Sequence, residues 1–202
     1  MRKRIVAMIL FGSIWGLLEC SLGDYLHSRH LGAGIVMASI AFIFMAYTRY
    51  LYNVKGMQAG MAAIAAIMRH FNPVGGCLLC ASISIFIEGL IFEAIWIIPW
   101  HHERSNIVKV GIGAISGYMI YSIGFIATQI ITPMIVSKFY LHDLISNLPI
   151  ILANGTYALL IGAIAFPLIM AIPKETRIKD SLYYAASAVL VAISWMAVIA
   201  GI

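Results

Sequence analysis

Charge is scarce in this sequence. Only 10% of its 202 residues are Asp, Glu, Lys or Arg, against about 25% in soluble globular chains. With 62% hydrophobic residues and a mean hydropathy of +0.97, the composition excludes an ordinary water-soluble fold and points to a membrane protein. Cysteine is also sparse: Cys20, Cys77 and Cys80, all in apolar segments. An odd count with no cysteine in an extracellular loop argues against a disulfide framework. C-x-x-C at 77–80 has no second pair to complete a zinc site, so it reads as small, packed membrane residues. No H-E-x-x-H, G-x-S-x-G or G-x-x-x-x-G-K-[ST] occurs, which removes the usual zinc protease, serine hydrolase and nucleotide-binding signatures. We expect no enzyme and no cofactor. Low-complexity tracts, internal repeats and any stretch long enough for a separate soluble module are also lacking. The expectation is a single integral membrane domain over 1–202.

The net charge of +5 would suggest nucleic acid in a soluble chain. Here the basic residues form short clusters between apolar runs, and no basic patch is interleaved with stacking aromatics. They set topology instead, and no nucleic acid is expected. The N-terminal segment has a basic start and an apolar centre, as a signal peptide does, but no A-x-A-like cleavage site follows. We read it as a retained first helix.

Apolar runs occupy roughly 5–23, 33–51, 74–99, 107–132, 149–172 and 181–201. Each approaches the ~20 residues a spanning helix needs. Between the second and third lies 57–68, apolar but short, followed by the breakers Asn72-Pro73 and Gly75-Gly76. Segment 57–73 is therefore either a seventh, short crossing or half of a re-entrant hairpin. Non-helical backbone at that depth survives only where protein or a water-filled cavity surrounds it. In transporters such interrupted segments point to binding sites. The expected fold is an all-α polytopic helix bundle of six or seven transmembrane helices with one short or broken segment. Placing the N-terminus in the cytoplasm puts Arg2, Lys3, Arg4, Arg49, Lys55, Arg104, Lys109, Lys174, Arg177 and Lys179 inside. Of the thirteen basic residues, only Arg29, Arg69 and Lys138 then lie outside. This satisfies the positive-inside rule. The expected location is the cell membrane, multi-pass, surrounded by lipid.

The first run carries the least comfortable residues. Gly12, Gly16, Glu19 and Gly23 recur at i, i+4, i+7 and i+11, hence on one helical face. A carboxylate facing lipid costs about 2.5–3.5 kcal/mol on insertion scales, so Glu19 should turn inward to a cavity or partner. The glycines leave room beside it. Asp24, His27, Arg29 and His30 crowd the outer mouth. Asp24, His27, His30 and His70 are candidate metal ligands there, although a His/Asp site needs three or four convergent groups. Whether any metal binds is left unknown. In the run at 74–99, Cys77, Cys80, Ser84 and Glu88 share a face. Glu88 is deep, and Glu93 lies nearer the cytoplasm, where a structural or subunit-contact role suits it. Thr128, Gln129 and Asn154 read as interhelical hydrogen-bonding groups. His101, His102 and Glu103 read as an interfacial loop.

The pattern W-G-x-x-E at Trp15–Glu19, G-x-x-x-H at Gly23–His27 and the glycine-started helix at Gly32/Gly34 resembles membrane substrate-binding (S) components of energy-coupling-factor (ECF) transporters. So do residues 56–76 and "SIFIEGLIFEAIW". The resemblance covers roughly residues 5–100. Cobalt and nickel members of that family carry a histidine at the second or third residue, where this chain has Arg2 and Lys3. The resemblance implies capture of a vitamin, cofactor precursor or metal ion at the outer face. Import would then require a transmembrane scaffold subunit and two cytoplasmic ATPases. It further implies that Gly12 and Gly16 contact the scaffold. Pocket candidates are Glu19, His27, Asn72 and Glu88, with His70 and Trp15 behind them. The alternatives are an intramembrane metal-dependent enzyme or a structural subunit of a larger membrane complex. A haem anchor ranks lower, because no histidine lies well inside a span.

Overall fold

A computed structural model of the chain describes residues 2–74, 78–97, 105–135, 141–174 and 179–201. Every regular element among them is helical. The chain runs α1 (Arg2–Leu18), a π-helical turn (Glu19–Gly23), α2 (Asp24–Ser28), α3 (Ala33–Tyr52) and α4 (Met57–Phe71). It continues through α5 (Leu78–Ile95), α6 (Asn106–Ile135), α7 (Leu141–Ala171) and α8 (Asp180–Ala200). α1, the π turn and α2 form one continuous rod. Six helices are long and apolar enough to cross a membrane. The protein is a multi-pass, all-α membrane bundle.

The short segment is a complete helix. α4 lies beside α1 and runs in the same direction. Met8 of α1 meets Gly60, Gly12 meets Met61, and Gly16 meets Ala65 and Met68. At the far end Arg69 reaches Asp24. Within the bundle α4 therefore runs parallel to α1 along its length and does not fold back. Its fifteen residues span about 22 Å, less than the ~30 Å hydrocarbon core. That shortfall is tolerated because protein covers it: α1, α3, α5 and α8 all pack on α4. Its buried stripe, Met57, Met61, Ala65 and Met68, follows helical spacing. Asn72, extended as a residue before proline must be, stops the helix. Its Oδ1 then accepts the Val74 N–H at 3.1 Å.

The remaining helices alternate. Gly89 of α5 packs on Ala62, and Glu93 bonds the Gln58 N–H at 3.0 Å, so α5 runs antiparallel to α4. Trp96 donates to Ser116 at 3.3 Å, while Gly124 meets Glu88, so α6 reverses again. α8 runs with α1: Lys3 pairs with Asp180, Trp195 donates to Ser13 at 3.2 Å, and Gly201 ends against Pro73. Arg2 and Gly201 consequently lie at opposite ends of the bundle.

Two differences from the sequence reading stand out. α7 starts at Leu141 rather than near 149 and continues through Pro149 and Pro167. Neighbouring helices and local adjustments let a membrane helix absorb proline. Gly12 and Gly16, read as a contact for another subunit, are covered by α4. A Cβ at Gly12 would sit 2.9 Å from the Met61 carbonyl oxygen, and one at Gly16 would sit 2.8 Å from Met68 Sδ. The close approach that small residues permit is used within the chain.

The tightest approach is between α6 and α7. A Cβ on Gly113 would lie 2.2 Å from the Gly162 carbonyl oxygen, with backbone on both sides. Gly113→Val should therefore lower stability by about 1–3 kcal/mol or more, read as a fall in Tm. Gly111→Ala meets nothing within 4 Å and should leave Tm unchanged or raise it slightly. Compartment-specific reporters fused beyond Arg2 and beyond Gly201 should report opposite sides of the membrane. Reporters on the same side would exclude a crossing by α4.

Candidate functional site

The two ends of the bundle are filled differently. Towards the Arg2 end, Phe92 stacks on Trp96 with centroids 5.0 Å apart and planes 4° apart. Phe166 meets Trp96 edge-on at 5.0 Å, and Phe42 is tilted against Phe92 at 6.3 Å. There Arg49 Nη2 pairs with Glu93 Oε2 at 2.7 Å, while Arg49 Nη1 donates to the Val54 carbonyl at 2.8 Å. Glu93 is thus an internal tie, as its structural reading expected.

The other end holds a cavity of about 140 Å³. Its wall takes Glu19, Asp24 and His27 from the first rod, Arg69 from α4, Glu88 from α5 and Phe125 from α6. A neighbouring hollow of about 240 Å³ shares His27, Arg69, Ser84 and Phe125. Another of about 290 Å³ shares His27, Gly34 and Phe125 and reaches Asn154. His27 and Phe125 therefore border all three. Phe125 stacks on Tyr121 at 4.6 Å. Its ring tip occupies the space a side chain at Gly34 would need: a Cβ there would lie 2.2 Å from Cζ.

Local structure sets each wall group. Glu19 opens the π turn, a wider turn often found at functional sites. Trp15, fully buried one turn earlier, donates Nε1–H to Glu19 Oε1 at 3.0 Å and fixes that carboxylate. Arg69 grips Asp24 through two bonds, Nη1 to Oδ2 at 2.7 Å and Nη2 to Oδ1 at 2.6 Å. Its Nη1 also donates to the Glu19 carbonyl at 3.2 Å. Asn72 Nδ2 donates to Asp24 Oδ2 at 3.0 Å. Glu88, only 4% exposed, accepts from Ser84 at 3.3 Å through Oε1, while its Oε2 is buried with no hydrogen-bond partner.

Of the residues singled out from sequence, Glu19, His27 and Glu88 meet around one cavity, and Trp15 supports Glu19 from behind. Asn72 does not line the cavity; it acts on the wall through Asp24. His70 is exposed, its ring edge-on to Phe71 at 5.9 Å, and lines none of these hollows. Asp24, considered as a metal ligand, has both oxygens engaged by Arg69 and Asn72. Among the described residues no group of three His, Cys, Asp or Glu side chains is arranged to hold a metal ion. Cys80 is disulfide-bonded, against the reading of packed thiols; Cys77, His101, His102 and Glu103 lie outside the described residues. Sequence reasoning missed Arg69, which it placed in an outer loop as a topology signal. The side chain is buried, and its partner is 45 residues away. No local pattern announces that pairing.

No protein family, curated protein or solved structure matches the chain.

Removing one partner of a fully buried ion pair costs about 3–5 kcal/mol, because the other charge is left uncompensated; Arg69 is buried and Asp24 part-buried, so that range is an upper bound here. Asp24→Ala should therefore lower Tm markedly, and Asp24→Ala with Arg69→Met should recover part of the loss. His70→Ala should fall within about ±0.5 kcal/mol of the parent, as surface substitutions do. Thermal unfolding of the purified variants in one detergent checks all three.

Proposed function

We propose that this protein is a membrane solute-binding subunit, of the kind found in ECF-type importers. It captures a vitamin, a cofactor precursor or an ion. The observation that carries this reading is the cavity between the π turn, α2, α3, α4, α5 and α6. Two buried glutamates from different helices line it, in a bundle whose opposite half is filled with aromatic side chains. A chain built only to pack against others has no physical reason to bury a half-satisfied carboxylate beside a hollow, since burying charge without partners is costly. At about 140 Å³ the cavity is smaller than the roughly 300–1,000 Å³ of drug-sized pockets, which favours the smallest of these solutes.

In this reading the Arg2 end lies in the cytoplasm of the cell membrane and the cavity opens towards the outside. That agrees with the distribution of basic residues. Transport then requires a scaffold subunit and a pair of ATPases. The scaffold must meet a face other than Gly12/Gly16, which α4 occupies. The role is binding and hand-over, with no bond made or broken in this chain.

Purification in mild detergent followed by native mass spectrometry tests the reading. The expected result is a retained small molecule or ion that Glu88→Gln loses, together with a co-purifying ATPase pair. Repeated recovery of the chain with neither adduct nor ATPases would overturn it.

A further inference from the structure

The chemistry of the cavity wall specifies the charge of its occupant. Three carboxylates line the cavity: Glu19, Asp24 and Glu88. Among the described residues the single Lys or Arg on that wall is Arg69, and both its terminal nitrogens are bonded to Asp24. That bidentate pair is internally neutral. Glu19 and Glu88 are left over. Glu19 has one oxygen held by Trp15, a neutral donor, and Glu88 has one oxygen held by Ser84, also neutral. Neither neighbour supplies positive charge. Among the described residues Glu88 Oε2 has no hydrogen-bond partner, and it is sealed from solvent. A buried acceptor in that state calls for a donor from outside the wall, a ligand group or an ordered water.

A metal ion is a poor completion. Hard cations want six or more oxygen ligands, and zinc wants four tetrahedral ones. The described residues offer no cluster of three. An ammonium or guanidinium group needs only hydrogen-bond acceptors in reach and an apolar surface beside it. Two carboxylates and the apolar ring of Phe125 on the same wall supply both.

We infer that the cavity binds a small organic cation, its amine or guanidine nitrogen held by Glu88 and Glu19 against Phe125. This rests on the solute-binding reading above and narrows it to one ligand class. The opposing possibility is an anion recruited by Arg69, whose Nε is buried without a partner.

The test uses three four-carbon probes of matched length: putrescine as dication, 1,4-butanediol as neutral and succinate as dianion. Each is titrated into the purified full-length chain in detergent, followed by thermal unfolding. The expected result is a saturable rise in Tm with putrescine alone. Glu88→Gln and Glu19→Gln, which keep the side-chain shape, should each weaken that response at least about tenfold. Circular dichroism and size-exclusion chromatography confirm that the variants are folded. His142→Gln, exposed and outside the lining of these hollows, should respond like the parent. A response to succinate or butanediol in place of putrescine, no response to any probe, or an unchanged putrescine response in Glu88→Gln would overturn the inference. Native mass spectrometry separates this failure from failure of the carrier reading. A retained neutral or anionic solute sinks only the ligand class, whereas no retained solute and no ATPases sinks both.

Discussion

The two-pronged grip of Arg69 on Asp24 organises the hollow half of this bundle. One guanidinium holds the end of the central helix against the end of the first one. It also bonds the Glu19 carbonyl, so the widened turn bearing the first cavity carboxylate is fixed by the same group. Asn72 joins from the stop of α4. In a setting with little water, each of these groups would be costly alone. Together they satisfy one another and let polar chemistry exist beside the cavity.

A second pair, Arg49 with Glu93, ties α3 to α5 near the start of α4. The central helix is therefore flanked at both ends by charge and wrapped along its length by methionine and alanine contacts. Aromatic stacking fills the region around Phe92 and Trp96, and nothing comparable fills the space between Glu19 and Glu88. The asymmetry follows from side-chain size. Ala33, Gly34, Ala38 and Ala81 line the hollow, while Phe42, Phe92, Trp96 and Phe166 close the other half.

Much of this was legible in the residues, and the gaps have physical causes. Long apolar runs reveal lipid-facing helices because lipid demands them. A helix surrounded by protein is under no such demand, which is why α4 could not be told from a hairpin by length and hydropathy. Glu19 and Glu88 announced themselves because an acid in an apolar run needs a reason to be there. Arg69 did not, because a basic residue beside a run has a ready explanation as a topology signal. The glycine pair in α1 correctly signalled close backbone approach, but spacing within one helix cannot say whether the neighbour is the same chain or another. The apolar run beginning near 149 understated α7, which starts at Leu141 and carries Pro149 inside it, where packing overrides local preference.

The π turn between Leu18 and Asp24 carries one residue more than an α-helical turn would. That surplus sets the rotational phase of everything beyond it, including the faces on which Asp24 and His27 emerge. The same residues wound as uniform α-helix would swing those faces by about 100°. It is the width of this one turn that aims Asp24 and His27 at the hollow, so whatever holds the turn open also shapes the wall.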